Sequence, residues 1–225
     1  MSPRPYRMDK RQTARNETRV RILEAARHLL TDDSTRELSM DAVAKRADVS
    51  RLTIYYQFGS RPGLLEALYD HLAARGNMQR MAQVFQAPDQ VRAVEEMIAT
   101  FVGFWSVDTT VMRRLRAMAA LDREISGGVR ARDARRVHIA HELLKRSPGK
   151  RRSGGEAVTA DVLAMLTSFE TYDALARAGH AEDQIVLILR RLARCAISDE
   201  GNRTQSPELA KPRRSGQRGR RTLDE

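Results

Sequence analysis

Six neighbouring side chains in this sequence are suited to reading a polyanion rather than to breaking a bond. Arg51, Leu52, Thr53, Tyr55, Tyr56 and Gln57 fall within the run RLTIYYQ. An arginine can fork onto a phosphate or a guanine edge, a glutamine can pair with adenine, and hydroxyls can donate to phosphate oxygens. Leucine can add apolar contact to a thymine methyl group. Catalytic chemistry finds no comparable cluster. The run GKRRSGG at 149–155 lacks the spacing of a phosphate-cradling loop, and neither a nucleophile elbow nor a metal-binding pair stands out. His138 and His141 share a helical turn, but no cysteine or carboxylate completes a metal site around them. The expectation is a protein that is not an enzyme and that uses no metal and no cofactor.

The charge balance points the same way. The 225 residues hold 40 Lys and Arg against 29 Asp and Glu, a formal net charge of +11. Such an excess implies a polyanionic partner, with nucleic acid ahead of anionic membrane. No run of about 18 apolar residues occurs, so neither a membrane span nor a membrane partner is expected. The basic start of the chain is followed by no apolar stretch, which argues against a secretory signal. Cys195 is the single cysteine and cannot form an intramolecular disulfide, which fits a reducing cytoplasm. It is expected to be buried and inert.

The reading residues need a rigid support, and the flanking sequence supplies one. Aromatics make up only 5% of the chain while alanine and leucine recur, which favours an all-α fold. Residues 1–12 read as a flexible basic arm, because Pro3 and Pro5 oppose a helix and Arg4, Arg7, Lys10 and Arg11 repel one another. A first helix is predicted from about Thr13, with Val20, Ile22, Leu23, Ala26, Leu29 and Leu30 on one broad apolar face. The polar run TDDSTRE at 31–37 ends it. Ser39 is placed to cap a second helix over 40–46, Ser50 a third over 51–57, and Ser60 a fourth with Pro62 in its first turn. Val43, Ala47, Val49, Ile54 and Phe58 can pack the two short helices across a corner, with Ala44 small where their backbones approach. The span 39–58 is thus a helix-turn-helix whose second helix suits a major groove.

The stretch ADVSRLTIYYQFGSRPGLL at 47–65 closely resembles the TetR-family signature, loosely A-G-V-S-x-x-T-L-Y-x-x-F-x-S-K-x-x-L-L. RILEAARHLL at 21–30 resembles the family's amphipathic first helix, and the resemblance covers about residues 13–75. It implies an N-terminal three-helix DNA-binding domain joined to a C-terminal helical bundle for ligand binding and dimerisation. It further implies a homodimer on a near-palindromic double-stranded operator, and a repressor released by a small apolar or amphipathic ligand of unknown identity. By position, the resemblance assigns the Tyr55 hydroxyl to a phosphate, Thr53 to the backbone or a thymine methyl, and Arg61 to a phosphate where lysine is usual. It leaves Arg51, Leu52, Tyr56 and Gln57 on the variable face that reads bases, and Ser39 joins them as a DNA-binding residue. Two departures stand out. Asp48 replaces the usual turn glycine, and Asp tolerates a left-handed backbone at modest strain. Leu52 replaces a small residue and can touch a thymine methyl without hydrogen bonding.

The remainder reads as a regulatory and dimerisation domain over 76–197, followed by a basic disordered tail over 198–225. Helices are predicted over 89–105, 109–122, 129–146, 156–177 and 181–197, with a loop at 147–155. Ala157, Ala160, Ala164 and Thr171, together with Ile185, Ile188, Leu189, Leu192 and Ala196, form either ordinary core or a four-helix interface between two copies. Phe101, Phe104, Trp105, Met112, Met118, Phe169 and Tyr172 form either core or the lining of a ligand pocket. The basic arm and tail either follow the DNA backbone or stay solvated. A chromosome-coating protein would account for the charge, but not for the varied face at 51–57.

Overall fold

The computed structural model describes residues 4–32, 38–146 and 153–202, with side chains over 12–32, 38–146 and 157–198. Among these residues every regular element is helical. The head comprises α1 (Arg4–Thr31), α2 (Met40–Ala47), α3 (Arg51–Phe58) and α4 (Arg61–Arg75). A 3-10 turn (Met78–Arg80) and the short α5 (Met81–Val84) lead into the bundle. That bundle holds α6 (Gln90–Val107), α7 (Thr109–Leu121), α8 (Arg123–Lys145), α9 (Ser153–Leu166), α10 (Phe169–Arg177) and α11 (Glu182–Asn202).

Five boundaries differ from the sequence expectation, three of them for a clear local reason. Helix α1 starts at Arg4 and runs through the span expected to be a flexible arm. Pro5 lies in its first turn, where a missing N–H breaks no helical bond, so the proline expected to bar a helix sits where a helix tolerates it. Helix α8 starts at Arg123 rather than near 129, because the Asp122 carboxylate accepts from the Glu124 N–H at 2.9 Å and caps it. Gly127 and Gly128 therefore lie inside the helix. A Cβ on Gly128 would overlap the Glu66 carboxylate, so glycine there lets α8 approach α4. The single helix expected over 156–177 is broken at Thr167–Ser168, where Ser168 caps α10 through the Thr171 N–H at 3.1 Å. The carbonyl freed at Thr167 accepts from the Trp105 indole at 3.0 Å. Helix α11 runs past 197 to Asn202. The loop expected over 147–155 is shorter, since residues 153–155 already form the first turn of α9; the rest of it, over 147–152, and the tail from 203 onward lie outside the described residues.

One continuous core joins head and bundle. Ile22, Ala26, Val43, Ile54, Leu64 and Leu68 are buried in the head, and Met97, Ile98, Leu115, Leu143, Leu163 and Leu189 in the bundle, whereas Val20, expected on the apolar face of α1, lies at its edge and is exposed. Each of these buried side chains other than Ala26 contributes about 1.5–3 kcal/mol when fully buried. Helix α4 belongs to both parts, since Tyr69 and Leu72 continue its apolar face into the bundle. The proposed interface stripes resolve differently. Ala160, Ala164, Ile185 and Leu189 all face inward as core, while Val158, Met165, Leu187 and Leu192 are exposed. Cys195 is exposed, contrary to expectation. Ile185, Leu189 and Ala193 set the inward face of α11 at four-residue spacing, and position 195 falls off it.

Ion pairs tie the head to the bundle. The Asp108 carboxylate accepts from Arg27 at 2.9 Å and from Arg75 at 3.1 Å. Glu24 accepts from Arg27 at 2.8 Å and from His71 at 2.7 Å. Burial works to raise the Glu24 carboxyl, yet the hydrogen bonds from Arg27 and His71 and the charges of Arg27 and Arg75 bring it down to about 2. Because this pKa is depressed, the stability it confers is present above the ordinary value of 4.5 and is lost as pH falls toward 2. Denaturation of the parent and of Glu24→Gln across that range checks this. The parent is expected to be the more stable above the ordinary value, with the gap closing on acidification.

Candidate nucleic-acid interface

The recognition helix is built by caps and one anchor. The Ser39 hydroxyl accepts from the Ala42 N–H at 3.1 Å and Ser50 from the Thr53 N–H at 3.1 Å. Ser60 does the same for the Gly63 N–H at 3.1 Å, so all three serines cap as their chemistry requires. Asp48 adopts the left-handed conformation at φ 51°, and the following Val49 N–H returns to the Ala44 carbonyl at 3.1 Å to close α2. Gly59, at φ 74°, ends α3 in a backbone state that suits glycine. Ile54 is the one fully buried residue of α3, so its location fixes which side chains look outward.

The eight residues expected at the interface fall into three groups. Arg51, Leu52, Tyr55 and Tyr56 are exposed together, with Leu52 and Tyr56 each 77% accessible. Arg51 pairs with Asp41 at 3.1 Å and donates to the Tyr55 oxygen at 3.2 Å, which leaves the Tyr55 O–H free to donate outward. An exposed pair such as Arg51–Asp41 is worth about 0–1 kcal/mol, so a phosphate can displace it. Ser39 and Thr53 are half-buried in caps, the Thr53 hydroxyl lying 2.8 Å from that of Ser50. Gln57 and Arg61 turn away from the outer face. The Gln57 amide donates to the Arg15 carbonyl at 3.4 Å. Arg61 pairs with Asp122 at 2.7 Å and donates to the Leu38 carbonyl at 3.3 Å. The Arg61 hydrogen bond holds the Asp122 carboxyl below its ordinary range.

Three arginines of α1 complete the arrangement and were not singled out from the sequence. Arg19 donates to the Gln57 carbonyl at 3.2 Å and lies 4.5 Å from the Phe58 ring centre. Arg21 donates to the Ala47 carbonyl at 3.0 Å. Each places a cation at the negative end of a short helix and thereby helps hold α3 and α2. Exposed Arg15 lies 5.6 Å from the Tyr56 ring centre and extends the basic surface beside the outward group. The four-residue spacing of Arg15 and Arg19 on α1 was the available signal.

The residues expected to line a pocket separate as well. Phe101, Phe104, Trp105 and Met112 line a cavity of about 270 Å³, together with Tyr69 and Ala73 of α4. Met118, Phe169 and Tyr172 do not line it. Phe169 packs edge-on against Trp105 with ring centres 5.5 Å apart, Tyr172 stands behind Phe169 at 6.4 Å, and Met118 is a partly buried residue packed on the core. The aromatic type was legible, but not which rings face the void.

Comparison with known proteins bears on the head and on the whole fold separately. Residues 22–68 match the family model described as bacterial regulatory proteins, tetR family. The HTH-type transcriptional regulator UidR of Escherichia coli strain K12 is 38% identical over 61 residues, covering 27% of this chain and 31% of UidR. The chain thus matches about a third of the length of that curated relative. A TetR-like transcriptional regulator from Rhodococcus sp. RHA1 shares the fold with a TM-score of 0.62 and 22% identity, over 80% of this chain and 96% of that one. A cysteine mutant of the TetR family regulator CifR, solved with 26bp double-strand operator DNA, shares it with a TM-score of 0.55 and 16% identity, over 77% and 94% of the two chains. No helix among the described residues is long and apolar enough to cross a membrane. The head at residues 22–68 is thus similar to the tetR family of bacterial regulatory proteins, and the all-helical fold of the described residues resembles that of solved TetR-like regulators.

Proposed function

We propose that the protein is a sequence-specific DNA-binding transcriptional regulator, a repressor that acts in the cytoplasm and leaves its operator when a small ligand binds the bundle. The observation that carries this reading is the outward group on α3. A buried Ile54 fixes a helix of eight residues that offers Arg51, Leu52, Tyr55 and Tyr56 together to a groove. The operator complex of the CifR variant, which has the same fold, supports the same use of the head here. In this reading residues 13–75 form the DNA-binding head and 76–197 the regulatory and dimerisation part, with α4 passing between them.

Arg51 and Tyr55 hold phosphates, while Leu52 and Tyr56 meet base edges. Ser39 and Thr53 act chiefly by fixing the helices that carry this face. Gln57 and Arg61 serve DNA only after leaving Arg15 and Asp122, so the Arg61–Asp122 pair competes with phosphate binding. Fluorescence anisotropy on operator variants tests the division of labour. Tyr55→Phe is expected to weaken every duplex alike, by about tenfold, as one hydrogen bond to a charged group is lost. Tyr56→Ala is expected to relax preference at one base-pair position by about 1–3 kcal/mol. Uniform effects from both changes on all variants would contradict the assignment.

A homodimer is the proposed state, since near-palindromic sites need two heads. The apolar outward face of α9 and α11, with Val158, Met165, Leu187 and Leu192, suits a four-helix interface between copies. Cys195 lies eight residues from Leu187 on the same side of α11 and reports on that face. Replacing both Leu187 and Leu192 by lysine is expected to give monomers by analytical ultracentrifugation and faster labelling of Cys195 by a maleimide. An intact dimer in the double variant would place the interface elsewhere. The ligand enters the cavity beside α4 and favours a conformation in which α4, and with it the head, is displaced.

A further inference from the structure

The cavity between α4 and the bundle has a feature that a plain gap in the core lacks. Tyr69 lines it, is 4% exposed, and holds the one buried side-chain oxygen or nitrogen among the described residues with no hydrogen-bond partner. Leaving such a group unsatisfied is costly, and native proteins seldom do so without a use for it. Burial pushes the Tyr69 phenol up to about 12, so the group is a hydrogen-bond donor at neutral pH.

The charges around the cavity are arranged asymmetrically. Arg116 pairs with Asp133 at 3.1 Å and Glu170 at 2.6 Å, and Arg132 pairs with Glu66 at 2.6 Å and Asp70 at 3.0 Å. Arg136 shares Asp133 at 2.8 Å. The three arginine side chains are only 9–20% exposed, whereas the four carboxylates are 32–78% exposed. The arginines are therefore the more dehydrated partners, and although Asp70 and Asp133 also line the cavity, they face four lining arginines there, Arg116, Arg132, Arg135 and Arg136. Arg132 lies 4.5 Å from the Tyr69 ring centre, and the charges of Arg116 and Arg132 act on the phenol against those of Asp133 and Glu66. Phe104, Trp105 and Met112 give the cavity an apolar part of its lining.

We propose that this cavity binds a small aromatic monocarboxylate, its ring on Phe104, Trp105 and Met112 and its carboxylate accepting from the Tyr69 hydroxyl beside the arginines. The size agrees: a cavity of about 150 Å³ holds benzene, so about 270 Å³ takes one ring with a short acid arm. The assignment rests on reading this half of the chain as ligand-responsive, and it names the ligand class.

Trp105 is the single tryptophan of the chain and lines the cavity, so its emission reports occupancy directly. The full chain is titrated with benzoate, phenylacetate and phenylpropanoate, and with the primary amide of each. At least one carboxylate is expected to give a saturable change in emission, with its amide weaker by about tenfold or more. Tyr69→Phe is expected to weaken that carboxylate by about tenfold. Because the lost hydroxyl has no protein partner, this variant keeps the parent's thermal midpoint, which separates lost binding from unfolding. Equal affinity for acids and amides, or no saturable response to any acid at millimolar concentration, would overturn the proposal. Operator anisotropy run alongside keeps the two readings apart. A carboxylate that moves Trp105 emission without releasing DNA upholds the ligand class and defeats the release mechanism. Release by another metabolite, with the acids inert at Trp105, does the reverse.

Discussion

Alanine at position 63 is expected to unseat the recognition helix. A Cβ on Gly63 would overlap the Phe58 carbonyl oxygen and lie 3.2 Å from the Phe58 carbonyl carbon. Both are backbone atoms, so no rotamer change relieves the collision. The corner is also held from other directions, since the Gly63 N–H donates to Ser60 at 3.1 Å and the Ser60 N–H donates to the Phe58 carbonyl at 2.9 Å. Either the last turn of α3 or the first turn of α4 must therefore move. Overpacking costs about 1–3 kcal/mol where side chains can shift, and a clash between backbones belongs at the upper end. For a chain of this size that corresponds to a thermal midpoint lower by roughly 5 °C or more. Operator affinity is expected to fall by at least about tenfold, because α3 is short and its outward group depends on the seat of Ile54. Melting and anisotropy measurements that match the parent would show that the corner is more compliant than its hydrogen bonds suggest.

The second large effect is expected at the junction of head and bundle. Asp108 is 9% exposed and serves Arg27 of α1 and Arg75 of α4 from the corner between α6 and α7. Asparagine keeps the shape, removes the charge and turns one acceptor into a donor facing a guanidinium. Breaking a fully buried pair in this way costs about 3–5 kcal/mol. Arg75 is partly solvated and Arg27 keeps Glu24, so a loss of about 2–3 kcal/mol is expected for Asp108→Asn. Chemical denaturation measures it. A double-mutant cycle with Arg75→Ala then asks whether the loss runs through that pair, in which case the two effects are not additive. Full additivity would place the role of Asp108 elsewhere.

These junction contacts also show what the sequence could and could not reveal. Ser39, Ser50, Ser60 and Asp48 were legible because capping and turn chemistry depend on residues within a few positions. Ile54 and its neighbours were legible because the spacing of apolar residues sets a face. The directions taken by Gln57 and Arg61 were not, since their partners lie 42 and 61 residues away in the chain. The same holds for Cys195, whose exposure depends on which neighbours claim α11. It holds also for Phe169 and Tyr172, whose aromatic character is common to core and cavity wall. Nothing in the sequence sets Tyr69 apart, because its position in α4 continues the apolar stripe, and only the three-dimensional surroundings of its hydroxyl distinguish it.

The central claim is that the α3 face reads a DNA sequence, and selection from a random duplex pool by the full chain tests it most directly. The expected result is enrichment of a near-palindrome with half-sites about one helical turn apart, bound at least about 10³-fold more tightly than random duplex at physiological salt. A pool that stays unenriched, with equal affinity for every duplex and a dependence on salt alone, would contradict it.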